Sequence, residues 1–133
     1  MKENFLQYGE RIQMEAGRRV FGSDEPAEGK CIYFLIAGLV KTEFSLGSGS
    51  RFTLYLLPDS VFGLMEPLLS CRRQLGAYCM EKSLLYRWDL EGFDLASSVS
   101  WELALTAITG LTRMLRILNA EFGERIGLTN GGA

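Results

Sequence analysis

The sequence predicts a mainly β fold with some helix: a double-stranded β-helix (jelly roll) followed by a long C-terminal helix. Three observations carry this. Short alternating or apolar segments recur at roughly 8–12-residue spacing between glycine-rich turns, the pattern of an antiparallel roll. One such segment stops at Pro58-Asp59, and a short helical stretch with two arginines intervenes before strand character resumes. From Trp101 to Phe122 an apolar seam advances by steps of three and four throughout.

In chain order, residues 1–10 read as a mixed lead-in, a short helix with Phe5 and Tyr8 turned inward. Arg11–Met14 and Arg19–Phe21 are short strands about the Glu15-Ala16-Gly17 turn. Gly22–Gly29 is an acidic, turn-rich loop in which Asp24, Glu25 and Glu28 are solvated. Cys31–Ala37 is a buried strand, with Cys31 in the core. Gly38 turns the chain into Leu39–Ser45, where Val40, Thr42 and Phe44 alternate with Lys41 and Glu43. Residues 46–50 form a hairpin loop whose glycines supply positive φ, and Arg51–Leu57 is the returning strand. Leu75–Met80 and Ser83–Trp88 complete the roll. Tyr33, Phe34, Phe52 and Tyr55 are expected to fill or line it, and Trp88 to sit in the core. Asp89 reads as the N-cap of a helix to about Leu95.

The long helix is expected to start at a serine between Ser98 and Ser100, with Glu102 in its first turn and Trp101 anchoring its start. Its seam is Trp101, Ala104, Ile108, Leu111, Leu115, Leu118 and Phe122; Leu103, Ala107, Met114 and Ile117 line a neighbouring face. Docking on a β core needs one stripe. Two stripes predict that one face packs on the roll and the other on a partner helix, giving a homodimer. Gly110 permits close approach at mid-helix. One domain is expected over 1–133, with the roll over about 9–90 and the helix over about 99–126.

The bulk numbers narrow the function. A chain of 133 residues that is 47% hydrophobic can build a core without cross-links. A net charge of −2 and isolated Arg pairs argue against nucleic-acid binding by this segment. Histidine is absent, which removes Ser-His-Asp and Cys-His catalysis, the usual zinc sites and a histidine-ligated haem. Neither a catalytic nor a metal-ligating residue is expected, so the chain reads as no enzyme. Three cysteines, Cys31, Cys71 and Cys79, make no CxxC pair and are too few for a common iron–sulfur cluster. No signal peptide or membrane span is expected: MKENFLQYGE lacks an apolar run and Cys31–Val40 is too short to cross a bilayer. The expected location is the cytoplasm.

Pro58–Cys79 is the candidate site. Freed amides at the helix start near Phe62-Gly63, with Arg72 and Arg73, suit a small anion. The ligand-binding residues expected are Phe62, Gly63, Leu64, Arg72, Arg73 and Gln74. The competing reading of Arg73 is a surface ion pair with Glu66, Glu81 or Asp89, and that of Arg72 is plain solvent exposure.

Over about residues 9–130 the order of these pieces resembles the cyclic-nucleotide-binding domain, and more narrowly the effector domain of the Crp–Fnr family of bacterial transcription regulators. Gly17 before a strand, Tyr33–Phe44 (YFLIAGLVKTEF), Leu56–Gly63 (LLPDSVFG), Arg73 and the helical seam carry the likeness. It implies an effector-sensing domain that dimerises through the long helix. It also implies a helix-turn-helix domain beyond this chain, through which alone DNA is met, with Gly127–Ala133 as the hinge. Phe62-Gly63 match the family's Phe-Gly-Glu, but Leu64 stands where the glutamate accepts the ribose 2′-hydroxyl. Arg73 matches the phosphate-pairing arginine; Gln74 departs from the small residue that follows it. The Thr-Ser pair that meets adenine in cAMP-responsive members is replaced near Leu118-Asn119. Losing the ribose acceptor costs about 1.5–3 kcal/mol, so the effector expected is a small anion other than cAMP. The alternative is a cyclic nucleotide (cAMP or cGMP) in a regulatory module.

Overall fold

Ile32, Tyr33, Phe34 and Leu35 are apolar in unbroken succession, and such a strand is stable only if both its faces are covered. That requirement organises the computed structural model, which describes residues 6–23, 25, 31–45, 49 and 51–130, with the backbone alone for Leu118 and residues 121–130. The strands are β1 (Glu10–Met14), β2 (Arg19–Phe21), β3 (Ile32–Ala37), β4 (Val40–Ser45), β5 (Arg51–Leu56), β6 (Ser60–Phe62), β7 (Leu75–Cys79) and β8 (Ser83–Trp88). The helices are α1 (Met65–Leu69), α2 (Leu90–Val99) and α3 (Trp101–Asn130).

Two antiparallel four-stranded sheets result, ordered β1-β8-β3-β6 and β2-β7-β4-β5. Tyr33 and Leu35 of β3 point between the sheets and share a core with Phe21, Val40, Phe44, Phe62, Leu75, Ala77, Cys79 and Leu85. The alternate residues, Ile32 and Phe34, point the other way. There they join Tyr86, Trp88, Phe93, Ala96, Leu103 and Ala107 in a second core beneath α2 and α3. The jelly roll therefore has an inner core and an outer one, with β3 and β8 as the shared wall. β4 shows the one-sided alternative: Val40, Thr42 and Phe44 are buried while Lys41 and Glu43 are only half-buried.

Local chemistry sets the joints. Gly38 has φ 112°, and a Cβ there would overlap Ser83, whose Oγ accepts from Leu39 N at 3.3 Å. Asp89 caps α2 by accepting from Gly92 N at 2.7 Å, and Ser100 caps α3 by accepting from Leu103 N at 3.2 Å. The indole of Trp88 donates to Gln7 O at 2.6 Å, tying the lead-in to the outer core.

Several expectations change. Ser60–Phe62 is a strand, pairing with β3 through Tyr33↔Phe62, Phe34↔Val61 and Leu35↔Ser60. Three residues between Pro-Asp and glycine are too few to show a period. The short helix accordingly starts at Met65 and not at Phe62-Gly63, and α2 runs on to Val99 because Phe93 and Ala96 bury against the outer core. Tyr8 is exposed (52%), as are Tyr55 (54%) and Trp101 (73%), so Trp101 does not anchor the start of α3. Cys31 is half-buried. Phe5, Asp24, Glu28 and the tip of the 46–50 loop lie outside the described residues.

Removing the α2 cap by Asp89→Ala should lower stability by about 1 kcal/mol in urea denaturation, without changing the slope of the transition.

Candidate functional site

Pro58 ends β5, and Asp59 (φ 72°) reverses the chain while its amide donates to Leu35 O at 2.8 Å. After β6 the backbone turns again at Gly63 (φ 75°). A Cβ on Gly63 would meet Arg73 Nη1 at 3.0 Å, Phe21 Cε2 at 3.2 Å and Cys31 O at 3.3 Å, so only glycine fits between these groups. Helix α1 has five residues and no side-chain cap at Leu64; Pro67 contributes no N–H to its first turn. Ser70 (φ 53°) ends it, and Cys71 N donates to Glu66 O at 3.2 Å.

The returning chain drives Arg73 inward. Its guanidinium is 3% exposed and fully engaged on its outer nitrogens: Nη1 donates to Gly63 O (2.8 Å) and Glu66 Oε1 (2.9 Å), and Nη2 donates to Cys31 O (2.6 Å). The Phe21 ring lies beneath it, 4.0 Å from Cζ to the centroid. Nε is buried without a hydrogen-bond partner among the described residues. Glu66, 1% exposed, uses its second oxygen to accept from Gln74 N at 3.4 Å. The ion pair of the competing reading thus exists with Glu66, but inside the protein instead of on its surface. A carboxylate of the chain occupies the guanidinium edge that an anion would take.

The six expected ligand-binding residues part company. Gly63 and Arg73 are in contact. Phe62 stacks on Tyr33 (5.4 Å between centroids) in the inner core, while Leu64 belongs to the outer core. Arg72 and Gln74 are exposed, with Gln74 Nε2 donating to Arg72 O at 2.8 Å. Between the 58–74 segment and α3, the chamber lined by Gly63, Leu64, Glu66, Ala107, Gly110 and Met114 holds only about 20 Å³, room for a water molecule. Two larger spaces flank it. One, of about 530 Å³, lies between residues 54–61 and α3; the other, of about 860 Å³, is an apolar groove among α1, α2 and α3.

Helix α3 presents both stripes. Leu103 and Ala107 are buried on the roll, with Met114 and Ile117 half-buried. Of the seam, Trp101 (73%), Ile108 (54%) and Leu115 (58%) are exposed, and Ala104 and Leu111 are half-buried along the apolar groove. The side chains of Leu118 and Phe122 lie outside the described residues. Cys31 and Cys79 have thiols pushed up by burial, the opposite of the thiolate character a redox sensor needs. Among the described residues no cluster could hold a metal ion, and no helix is long and apolar enough to cross a membrane.

The chain belongs to the cyclic nucleotide-binding domain family, whose sequence model matches residues 11–96. Its fold is that of solved bacterial proteins. The catabolite activator protein of Thermus thermophilus is 24% identical, with TM-score 0.75, over 92% of this chain and 57% of that one. The heme domain of CooA from Carboxydothermus hydrogenoformans is 12% identical, with TM-score 0.76, over 96% and 87%. A transcriptional regulator from Thermotoga maritima is 18% identical, with TM-score 0.72, over 92% and 95%. The chain thus spans just over half the length of the Thermus protein. No curated protein sequence matches it.

The burial of Glu66 escaped the sequence reading. Its one trace there is a single carboxylate within the otherwise uncharged run Ser60–Cys71. Because each member of a buried pair strands the other when removed, Arg73→Met or Glu66→Leu alone should cost about 3–5 kcal/mol, and the double variant should recover most of that loss in urea denaturation.

Proposed function

We propose that this domain is the effector-sensing and dimerising half of a Crp/Fnr-type transcription regulator, answering to a small molecule other than a cyclic nucleotide. One observation carries the ligand part: the arginine at the phosphate-pairing position is already bonded to Glu66, Gly63 O and Cys31 O. Leu64 in place of the ribose acceptor and the 20 Å³ chamber support the same reading. An anionic effector would reach Arg73 only by displacing the Glu66 carboxylate. The family match and the Phe62-Gly63…Arg73 spacing favour the alternative, a cyclic nucleotide-responsive regulatory module.

The dimer part rests on the exposed seam. Trp101, Ile108 and Leu115 recur every seven residues, and with Ala104 and Leu111 they give the alternation of three and four that pairs helices. Effector binding beside α3 shifts the balance between two pairings of the helices, because it favours one over the other. That shift would pass to DNA only through a C-terminal domain beyond this chain. The setting is cytoplasmic.

Sedimentation should give a dimer for the 133-residue chain, and a monomer for Ile108→Asp combined with Leu115→Asp; a wild-type monomer at high concentration contradicts the dimer. Calorimetry should give no binding of cAMP or cGMP at micromolar concentrations. Micromolar affinity for either selects the alternative.

A further inference from the structure

We propose that the apolar groove among α1, α2 and α3, about 860 Å³ in volume, is filled by a second copy of this chain, whose α3 lays Leu105 and Thr112 into it and pairs Arg116 with Glu91. This rests on the dimer reading of the exposed seam and adds a second contact to it.

Continuity and charge select this occupant. Leu64, Leu68, Leu90 and Phe93 wall the groove on one side, and Ala104, Ile108 and Leu111, three residues of the seam, wall it on the other. A helix laid on the seam therefore meets the groove with no surface between. The charges on its rim are Glu91 and Asp94, both exposed. Among the described residues neither carboxylate has an ion-pair or hydrogen-bond partner. The opposite sign lies on α3. Between Leu103 and Ala120 its charges are Arg113 and Arg116 alone, exposed and likewise unpaired among the described residues.

Helix geometry chooses between the two arginines. With Trp101, Ile108 and Leu115 at heptad position a, and Ala104 and Leu111 at d, the groove lies on the g side, with Ala107. In a parallel pair the g side of one helix faces the e side of the other. The e positions are Leu105 and Thr112; Arg116 follows Thr112 by four residues on the same face, while Arg113 at f turns away. An antiparallel pair would set g against g and bring the two acidic rims together, which like charge opposes. Helices α2 and α3 fold back on each other about Ser100, so Glu91 comes level with the stretch near Leu111. Arg116 starts about 8–10 Å further along the axis and leans back over the preceding turn, a gap two long side chains can close. Leu64 and Leu68 flank Glu66, so the partner's helix would rest on the segment that Arg73 holds.

The test is sedimentation equilibrium of the 133-residue chain and its charge variants. Glu91→Arg and Arg116→Glu should each weaken the dimer about tenfold, since two symmetric contacts turn repulsive, and the double reversal should restore it to within about threefold of wild type. Arg113→Glu, the same charge change off the contact, should leave the dimer within about threefold of wild type. All four side-chain sites are exposed surface, so the fold is kept. Melittin, a basic amphipathic helix, should not bind the intact dimer; binding that Glu91→Arg abolishes shows the groove open to another partner and overturns the contact. A dimer indifferent to Glu91→Arg and Arg116→Glu, or not restored by the double reversal, overturns the groove contact and leaves the seam dimer standing. A wild-type monomer overturns the seam dimer and the groove contact with it.

Discussion

The guanidinium of Arg73 holds together three separate parts of the chain: the end of β2, the residue before β3 and the turn from β6 into α1. It bonds the carbonyls of Cys31 and Gly63, the carboxylate of Glu66 and, through its face, the ring of Phe21. Each contact fixes the end of an element: Phe21 closes β2, Cys31 precedes β3, Gly63 follows β6 and Glu66 lies in α1. Burying a cation is expensive unless its hydrogen bonds are made, so those ends must converge for the charge to be tolerated. The turn at Gly63 and the capless, proline-containing α1 follow from that demand. In this chain the arginine positions the segment.

That arrangement packs Gly63 and Arg73 directly against each other, and among the described residues the chamber next to Gly63 holds only about 20 Å³. Gly63 is needed because Arg73, Phe21 and a carbonyl crowd its α-carbon. The two residues accommodate one another. Among the described residues the larger spaces lie on the two flanks of α3 and touch the helix directly.

Much of the fold was legible because the strands report their surroundings. β2 and β8 were read to the residue, and β3, β4, β5 and β7 to within one, since apolar runs and glycine turns bound them. Asp89 and the serine before Trp101 were readable as caps because a short acceptor before an apolar period has few other uses. β6 was not, since three residues carry no period. The site was legible in its membership but not in its geometry. Glu66 and Arg73 are seven apart, a spacing that in a loop says nothing of burial; only the return of the chain over Phe21 brings both inside. Trp101 misled for a related reason: a tryptophan at a helix start suggests an anchor, yet this one belongs to the outward stripe.

Helix α3 has one more geometric property. Its last described half-buried residue is Ile117, and the helix continues to Asn130, about 20 Å further along its axis. Along a rod of that length, small angles become appreciable distances. A rotation of only a few degrees where Leu103 and Ala107 grip the sheet would move the far tip by more than an ångström, so slight repacking against the roll becomes a displacement large enough for whatever follows Asn130 to register.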